Sequence, residues 1–215
     1  RRRAIQAAFL NKIGEEIAGE RTAENVLNRA VQLAHETFGF HQVSVLLLDS
    51  ETQQLRVAAL AQRDPFQCLD CGGSLADGLT GWVAQHNRTL VVNDVSADNR
   101  YWQCPADVVQ MGSELAVPIG GGDEVLGVLD VQSPMRDAFG SSDRIVLETL
   151  ADQIAVALDN AELYRALQEE LAQRRKAEGA LRRGLQRIGF DPNVPFDIDA
   201  GEGLVERDDR RVPPR

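Results

Sequence analysis

The chain has 215 residues, 43% hydrophobic and 26% charged, a balance that supports a packed core and excludes both a disordered chain and a large multidomain enzyme. Lys+Arg 23 against Asp+Glu 33 gives a formal charge of -10, so no global positive field draws in nucleic acid or an anionic membrane. No apolar run approaches the roughly 18 residues of a membrane span, and Cys68, Cys71 and Cys104 are too few and too unevenly placed for a secreted disulfide scaffold. A soluble protein of the reducing cytoplasm is expected, with no nucleic acid or membrane as partner. The opening Arg1 in place of Met suggests a piece of a longer protein.

In chain order, Ile5, Phe9, Ile13 and Ile17 recur every four residues and predict an N-terminal amphipathic helix over 1–20. Thr22 then reads as an N-cap. Val26, Leu27, Ala30, Leu33, Ala34 and Phe38 form the apolar stripe of a second helix ending at Gly39. His41 to Asp49 and Leu55 to Ala61 predict two strands joined by a polar hairpin turn at Ser50 to Gln53. Arg63 to Asp77 contains Pro65, Gly72 and Gly73 without periodicity and reads as a long loop, of the kind that carries function.

Gly78 to His86 predicts a short helix with Leu79, Trp82 and Val83 inward, followed by a strand at Leu90 to Asn93. Asp94 to Gly112 is polar and irregular, with Tyr101, Trp102 and Met111 embedded in it. Leu115 to Ile119 and Val125 to Val131 predict two more strands around the turn Gly120-Gly121-Gly122-Asp123. Several strands, Val43 to Leu48 and Val125 to Leu129 among them, are nearly continuous in apolar residues, which predicts a sheet covered on both faces in a layered α/β/α sandwich.

Ser142 reads as an N-cap for the last helix. Leu147, Leu150, Ile154, Ala157 or Leu158, Ala161, Tyr164, Leu167 and Leu171 then recur at spacings of three and four, and Leu181, Leu185 and Ile188 resume the pattern. No proline interrupts Asp143 to Ile188, and at about 1.5 Å per residue one helix would run roughly 70 Å, too long to pack wholly on its own domain. The distal half is expected to project and to bury its seam against a second copy as a parallel two-fold dimer, with fraying or a break near Gly179 and Gly184. Residues 189–215 are expected to be a disordered tail or linker.

Five short motifs together resemble one family. They are Gly78-Leu79-Thr80-Gly81-Trp82-Val83-Ala84, Val91-Val92-Asn93-Asp94-Val95, Ser113-Glu114-Leu115-Ala116-Val117-Pro118-Ile119, Leu126-Gly127-Val128-Leu129-Asp130-Val131 and Leu150 to Leu158 with Asn160-Ala161. In this order and spacing the stretch 21–164 is similar to a GAF domain of the bacterial signalling type. The resemblance implies an antiparallel sheet of five or six strands, helices from the chain ends on one face and a small-molecule pocket on the other. It also implies a place upstream of an output domain such as a histidine kinase, with 165–188 as a signalling coiled coil.

The pocket of such a domain would be roofed by Trp82, Tyr101, Trp102 and Met111, with Glu114 at its edge; the same aromatics could instead fill the space as core. No cofactor or ligand can be named. The residue set of the cyclic-nucleotide-binding relatives cannot be placed, Cys104 is followed by Pro105 and departs from the bilin-attachment pattern, and of the histidines a haem could use, His35, His41 and His86, the first and last read as surface or capping residues. Cys68-x-x-Cys71 with Cys104 forms a redox candidate that lacks the second pair a metal site wants. Gly121-Gly122-Asp123-Glu124-Val125 resembles a diguanylate cyclase signature but sits in a tight turn whose chemistry explains it.

The expected function is therefore a non-catalytic small-molecule or redox sensory and dimerisation module, with its homodimer formed through the N- and C-terminal helices. Two alternatives are an enzyme resembling the free methionine-sulfoxide reductases, using the loop cysteines, and a structural dimerisation domain with no ligand.

Overall fold

The computed structural model describes residues 16–17, 19–63, 73–74, 77–102, 109–122 and 124–187. Helix α1, Ala23–Phe38, starts where Thr22 adopts an extended backbone and its hydroxyl accepts from the Asn25 N–H at 3.3 Å. It buries Val26, Leu27, Ala30, Val31, Leu33 and Ala34 and stops at Gly39, whose φ of 67° suits a residue without Cβ. The hairpin of β1, Gln42–Asp49, and β2, Gln54–Gln62, follows. Its turn is held by the Asp49 carboxylate, which accepts from the N–H groups of Glu51 at 3.0 Å and Thr52 at 2.9 Å. These two bonds hold the Asp49 carboxyl below its ordinary range, the Thr52 bond most strongly.

The chain continues through β3, Gly73–Ser74, α2, Gly78–His86, β4, Leu90–Val92, and a 3₁₀ turn, Val95–Ala97. Strands β5, Ser113–Gly121, and β6, Glu124–Ser133, lead to α3, Ser141–Arg187. The six strands form one sheet in the order β3-β2-β1-β6-β5-β4, and each neighbouring pair is antiparallel. The β1–β6 pairing joins strands from distant parts of the chain and sets Ser44 opposite Asp130.

Side-chain alternation divides the sheet into two faces. Val43 and Val45 of β1, Leu115 and Val117 of β5, and Leu129 and Val131 of β6 pack against α1 and the Leu147, Leu150 and Ile154 side of α3. On the opposite face Leu46, Ala116 and Val128 pack against Val83 and Ala84 of α2. This double covering explains the nearly continuous apolar strands and bears out the layered architecture.

Four expectations are corrected. Gly73–Ser74 pairs with Gln54 and Leu55 as a short strand within the segment expected to be loop. The strand expected to reach Asn93 ends at Val92. Ser142 lies inside α3 rather than capping it; the Asp143 carboxylate secures the start by accepting the Gly140 N–H at 2.9 Å, half of a capping box. The break expected near Gly179 and Gly184 is absent, since α3 runs through both to Arg187. Leu147, Leu150, Ile154, Ala157 and Ala161 are buried, whereas Tyr164, Leu167 and Leu171 are exposed, as are Ile145, Val156 and Leu163.

Residues 1–169 form one compact unit and 170–215 a second. Ile17 is buried in the core with α1, and Glu16 pairs with Arg29. The rest of the expected N-terminal helix and the tail beyond Arg187 lie outside the described residues. Among the described residues no helix is long and apolar enough to cross a membrane.

Candidate functional site

The sheet face under α2 should be uniformly apolar if its only task were packing. It is not, because three adjacent strands each place a polar group there. Ser44 on β1, Glu114 on β5 and Asp130 on β6 are 4%, 4% and 2% exposed. Alternation forces this placement: Val43 and Val45 flank Ser44, and Leu129 and Val131 flank Asp130, all facing the helical core on the other side.

Asp130 is the hub. Its Oδ2 accepts from the Ser44 hydroxyl at 3.3 Å and from the Gln132 Nε2 at 2.9 Å. The register sets Gln132 directly across from Glu114 and Asp130 across from Ala116, so Glu114 and Asp130 are diagonal neighbours on one face and hydrogen-bond to each other. Burial pushes the Glu114 carboxyl well above the ordinary carboxylate range, and the charge and hydrogen bond of Asp130 and the charge of Asp98 push it further. Burial and this neighbour favour the protonated form of Glu114, which is placed to donate its proton to Asp130. The Gln132 Oε1 is buried and accepts no hydrogen bond among the described residues, leaving an acceptor beside the pair.

The roof is built by α2 and the segment after β4. Leu79, Val92 and Val95 form a small cluster against which Tyr101 packs. Asp94 caps the 3₁₀ turn by accepting from the Ser96 backbone N–H at 3.1 Å, also accepts from the Ser96 hydroxyl at 2.6 Å, and pairs with Arg136 at 3.2 Å. Asp98 holds Arg100 with two bonds, Nε at 2.9 Å and Nη2 at 2.6 Å. The side-chain hydrogen bond from Arg100 holds the Asp98 carboxyl below its ordinary range. The guanidinium so fixed lies over the Trp82 ring, 5.1 Å from its centroid, and His86 stacks on the same ring at 4.3 Å. Arg100 therefore ties the loop to α2 by a cation–π contact with Trp82, whose ring His86 of the same helix also stacks on.

The sequence-predicted site residues separate into groups. Glu114 is at the centre of the polar cluster, while Trp82 packs partly buried on the apolar cluster beside it and Tyr101 lies in the roof. Met111 is buried, 4% exposed, where it fills core space. Trp102 is 53% exposed. His86 faces its own helix, its Nδ1 2.8 Å from the Trp82 carbonyl, in keeping with a capping role. Cys68, Cys71 and Cys104 lie outside the described residues.

Ser44, Asp130, Gln132 and the Asp98–Arg100 pair were not singled out by the sequence reading. A signal for two of them existed: Asp130 is a lone carboxylate inside the apolar stretch Leu126 to Val131, and Ser44 is the only hydroxyl between Val43 and Leu48. A polar residue enclosed by apolar neighbours in a strand covered on both faces must meet a partner or a ligand.

The family model for the GAF domain matches residues 20–159. Among solved structures, the chain is similar to the GAF domain of an Acinetobacter phosphoenolpyruvate-protein phosphotransferase, with a TM-score of 0.64, 24% identity and coverage of 74% of this chain and 95% of that one. It is also similar to the free methionine-R-sulfoxide reductase of Neisseria meningitidis in complex with its substrate, with a TM-score of 0.68, 23% identity and coverage of 76% and 93%. The GAF domain of the corresponding phosphotransferase from Coxiella burnetii gives a TM-score of 0.68 at 20% identity, covering 75% and 96%. At these identities the likeness establishes the shared fold and leaves activity to be read from the residues. Comparison with the curated proteins gave no match.

Proposed function

Because the chain belongs to the GAF domain family, we propose that residues 20–159 form a non-catalytic small-molecule sensor that works as a homodimer in a signalling protein and hands its state to an output domain through α3. The observation that carries this reading is the Glu114–Asp130 pair, a polar hub buried on the sheet face opposite α1 and α3. A single proton held between two carboxyl groups is a place-holder for a stronger positive partner. A ligand bearing an amine or another cationic donor group would replace that proton, gaining charge-assisted bonds to both carboxylates and leaving the Gln132 Oε1 as a further acceptor.

The mechanism follows from the layering. Strands β5 and β6 carry Glu114 and Asp130 on one face and Leu115, Leu129 and Val131 against the helical layer on the other. A ligand that draws the two carboxylates together changes the packing of residues one position away, which contact the α3 side of the core. A tenfold bias between two arrangements of that helix needs about 1.4 kcal/mol of differential binding. A thiol change at Cys68, Cys71 or Cys104 is a second input open to the same module.

The test is native mass spectrometry of the freshly purified full chain beside the Glu114→Gln/Asp130→Asn variant. A small-molecule mass retained by the unmodified protein and absent from the variant supports the reading. Turnover of free methionine sulfoxide, lost when the three cysteines are changed to Ser, would overturn the non-catalytic assignment.

A further inference from the structure

The exposed seam of α3 has a layer structure that the spacing of its leucines alone does not reveal. In a heptad frame Tyr164, Leu171, Glu178 and Leu185 occupy a positions, and Leu167, Arg174 and Leu181 occupy d positions. Tyr164, Leu167, Leu171 and Leu181 are 37%, 51%, 38% and 65% exposed. In the middle of this apolar seam lie two charges: Arg174 and Glu178 sit one turn apart, Nε to Oε1 3.7 Å, with side chains 76% and 70% exposed.

The two polarities of pairing treat these charges oppositely. A parallel, in-register pair faces each a position with itself and each d position with itself, so Arg174 would meet Arg174 and Glu178 would meet Glu178 inside the seam. An antiparallel pair faces a with d. With its two-fold axis at Lys176, Leu171 meets Leu181, Leu167 meets Leu185, and each Arg174 meets a Glu178. The segment is a palindrome in which apolar residues mirror apolar residues and the central charge mirrors its opposite. The rim slightly favours the other sense, since a parallel pair brings Glu170 towards Arg175 and an antiparallel pair brings the two Arg175 side chains towards each other. Rim charges are solvated and screened, whereas charges in the seam lose water on pairing, so the seam layers decide.

We propose that residues 164–187 pair with a second copy of this chain in the antiparallel sense, held in register by two symmetry-related Arg174–Glu178 contacts. The inference rests on the homodimer reading above and replaces the parallel polarity expected from spacing alone. A buried complementary pair within an apolar seam is a known means of fixing register and orientation, since every slipped or reversed alignment leaves a charge opposite a leucine or its own kind. The pairing also sets the distal end of each helix beside the other copy's Leu167.

The test uses the full chain with Cys68, Cys71 and Cys104 changed to Ser. Leu167→Cys and Leu185→Cys are introduced singly, and the two proteins are mixed and oxidised. Antiparallel pairing gives the mixed 167–185 disulfide; parallel pairing gives 167–167 and 185–185 disulfides, which would overturn the polarity while leaving the dimer standing. Sedimentation equilibrium of charge variants in the same background gives an independent reading. Arg174→Glu alone is expected to weaken association about tenfold or more, and the exchange Arg174→Glu/Glu178→Arg to restore it. Equal weakening by the single and double changes, with helicity intact by circular dichroism, argues against the facing pair. A monomer at all concentrations would overturn both polarity and dimer.

Discussion

Glu114 on β5 and Asp130 on β6 are diagonal neighbours on the sheet face beneath α2, both nearly excluded from solvent and joined by a hydrogen bond that favours the protonated Glu114. Neither packing nor strand formation requires carboxyl groups at these positions, since Ala116 and Val128 fill equivalent sites on the same face. The pair is therefore a cost to the fold, and its consequences are measurable.

The first consequence is pH dependence. The folded-state pKa of Glu114 is raised, chiefly by burial, so between the ordinary carboxylate range and that raised value the folded state binds a proton that the unfolded state has released. Stability then falls as pH rises through this window, by about 1.4 kcal/mol for each tenfold difference in proton affinity. Urea denaturation from acid to mildly alkaline pH should show this slope, and Glu114→Gln, which keeps a donor and cannot ionise, should flatten it.

Ligand recognition has the opposite sign. A cation that takes the place of the shared proton binds the deprotonated pair, so its apparent affinity rises with pH up to the raised pKa of Glu114, and binding releases a proton. Calorimetry in buffers of different ionisation enthalpy should detect that release. An affinity independent of pH would place the cation elsewhere.

Gly127 on β6 sits opposite Leu47 of the neighbouring β1, and a Cβ there would lie 2.2 Å from the Leu46 carbonyl oxygen. A backbone atom of a central strand cannot swing aside, so Gly127→Ala forces the β1–β6 pairing apart and should destabilise by about 1–3 kcal/mol, as overpacked cores do. Chemical denaturation at constant pH measures this. Gly184 in α3 is the contrasting case: a Cβ there meets no atom within 4 Å, and Gly184→Ala should stabilise the distal helix by up to about 1 kcal/mol, seen as a later loss of helical ellipticity on heating.

The loop tether is testable through its own chromophore. Arg100, fixed by Asp98, lies 5.1 Å from the Trp82 ring centroid. Arg100→Ala should cost about 0.5–1 kcal/mol and shift the Trp82 emission, while Arg100→Lys, which keeps the charge but loses the planar two-bond grip on Asp98, should recover only part of both effects.

Most of the fold was legible because its signals are local or periodic. Thr22 as a cap, the stripe from Val26 to Phe38, the hairpin around Ser50 and the apolar strands each follow from neighbours a few residues apart. The short strand at Gly73–Ser74 was not legible, because two residues carry no period and form a strand only by pairing with Gln54 and Leu55. The division of the α3 stripe was legible in outline, because a helix of that length outruns its own domain. Spacing did not fix where the covered part ends: Ala161 is buried, and Tyr164 and Leu167 are exposed.

The site was half legible. Glu114 could be reached through the Ser113 to Ile119 motif, but its partner lies 16 positions away on β6, and only the β5–β6 register makes them neighbours. The aromatic residues drew attention because large rings are conspicuous in a polar segment. Spacing gave no sign that Met111 would be buried and Trp102 more than half exposed.

Cation recognition by the Glu114–Asp130 pair is tested most directly by thermal-shift titration of the full chain with a panel of small primary amines and their N-acetylated counterparts, beside the Glu114→Gln/Asp130→Asn variant. At least one amine should raise the Tm of the unmodified protein, with its acetylated form inactive and the variant unresponsive. A panel in which no amine acts, or in which acetylated forms or the variant respond equally, would contradict it.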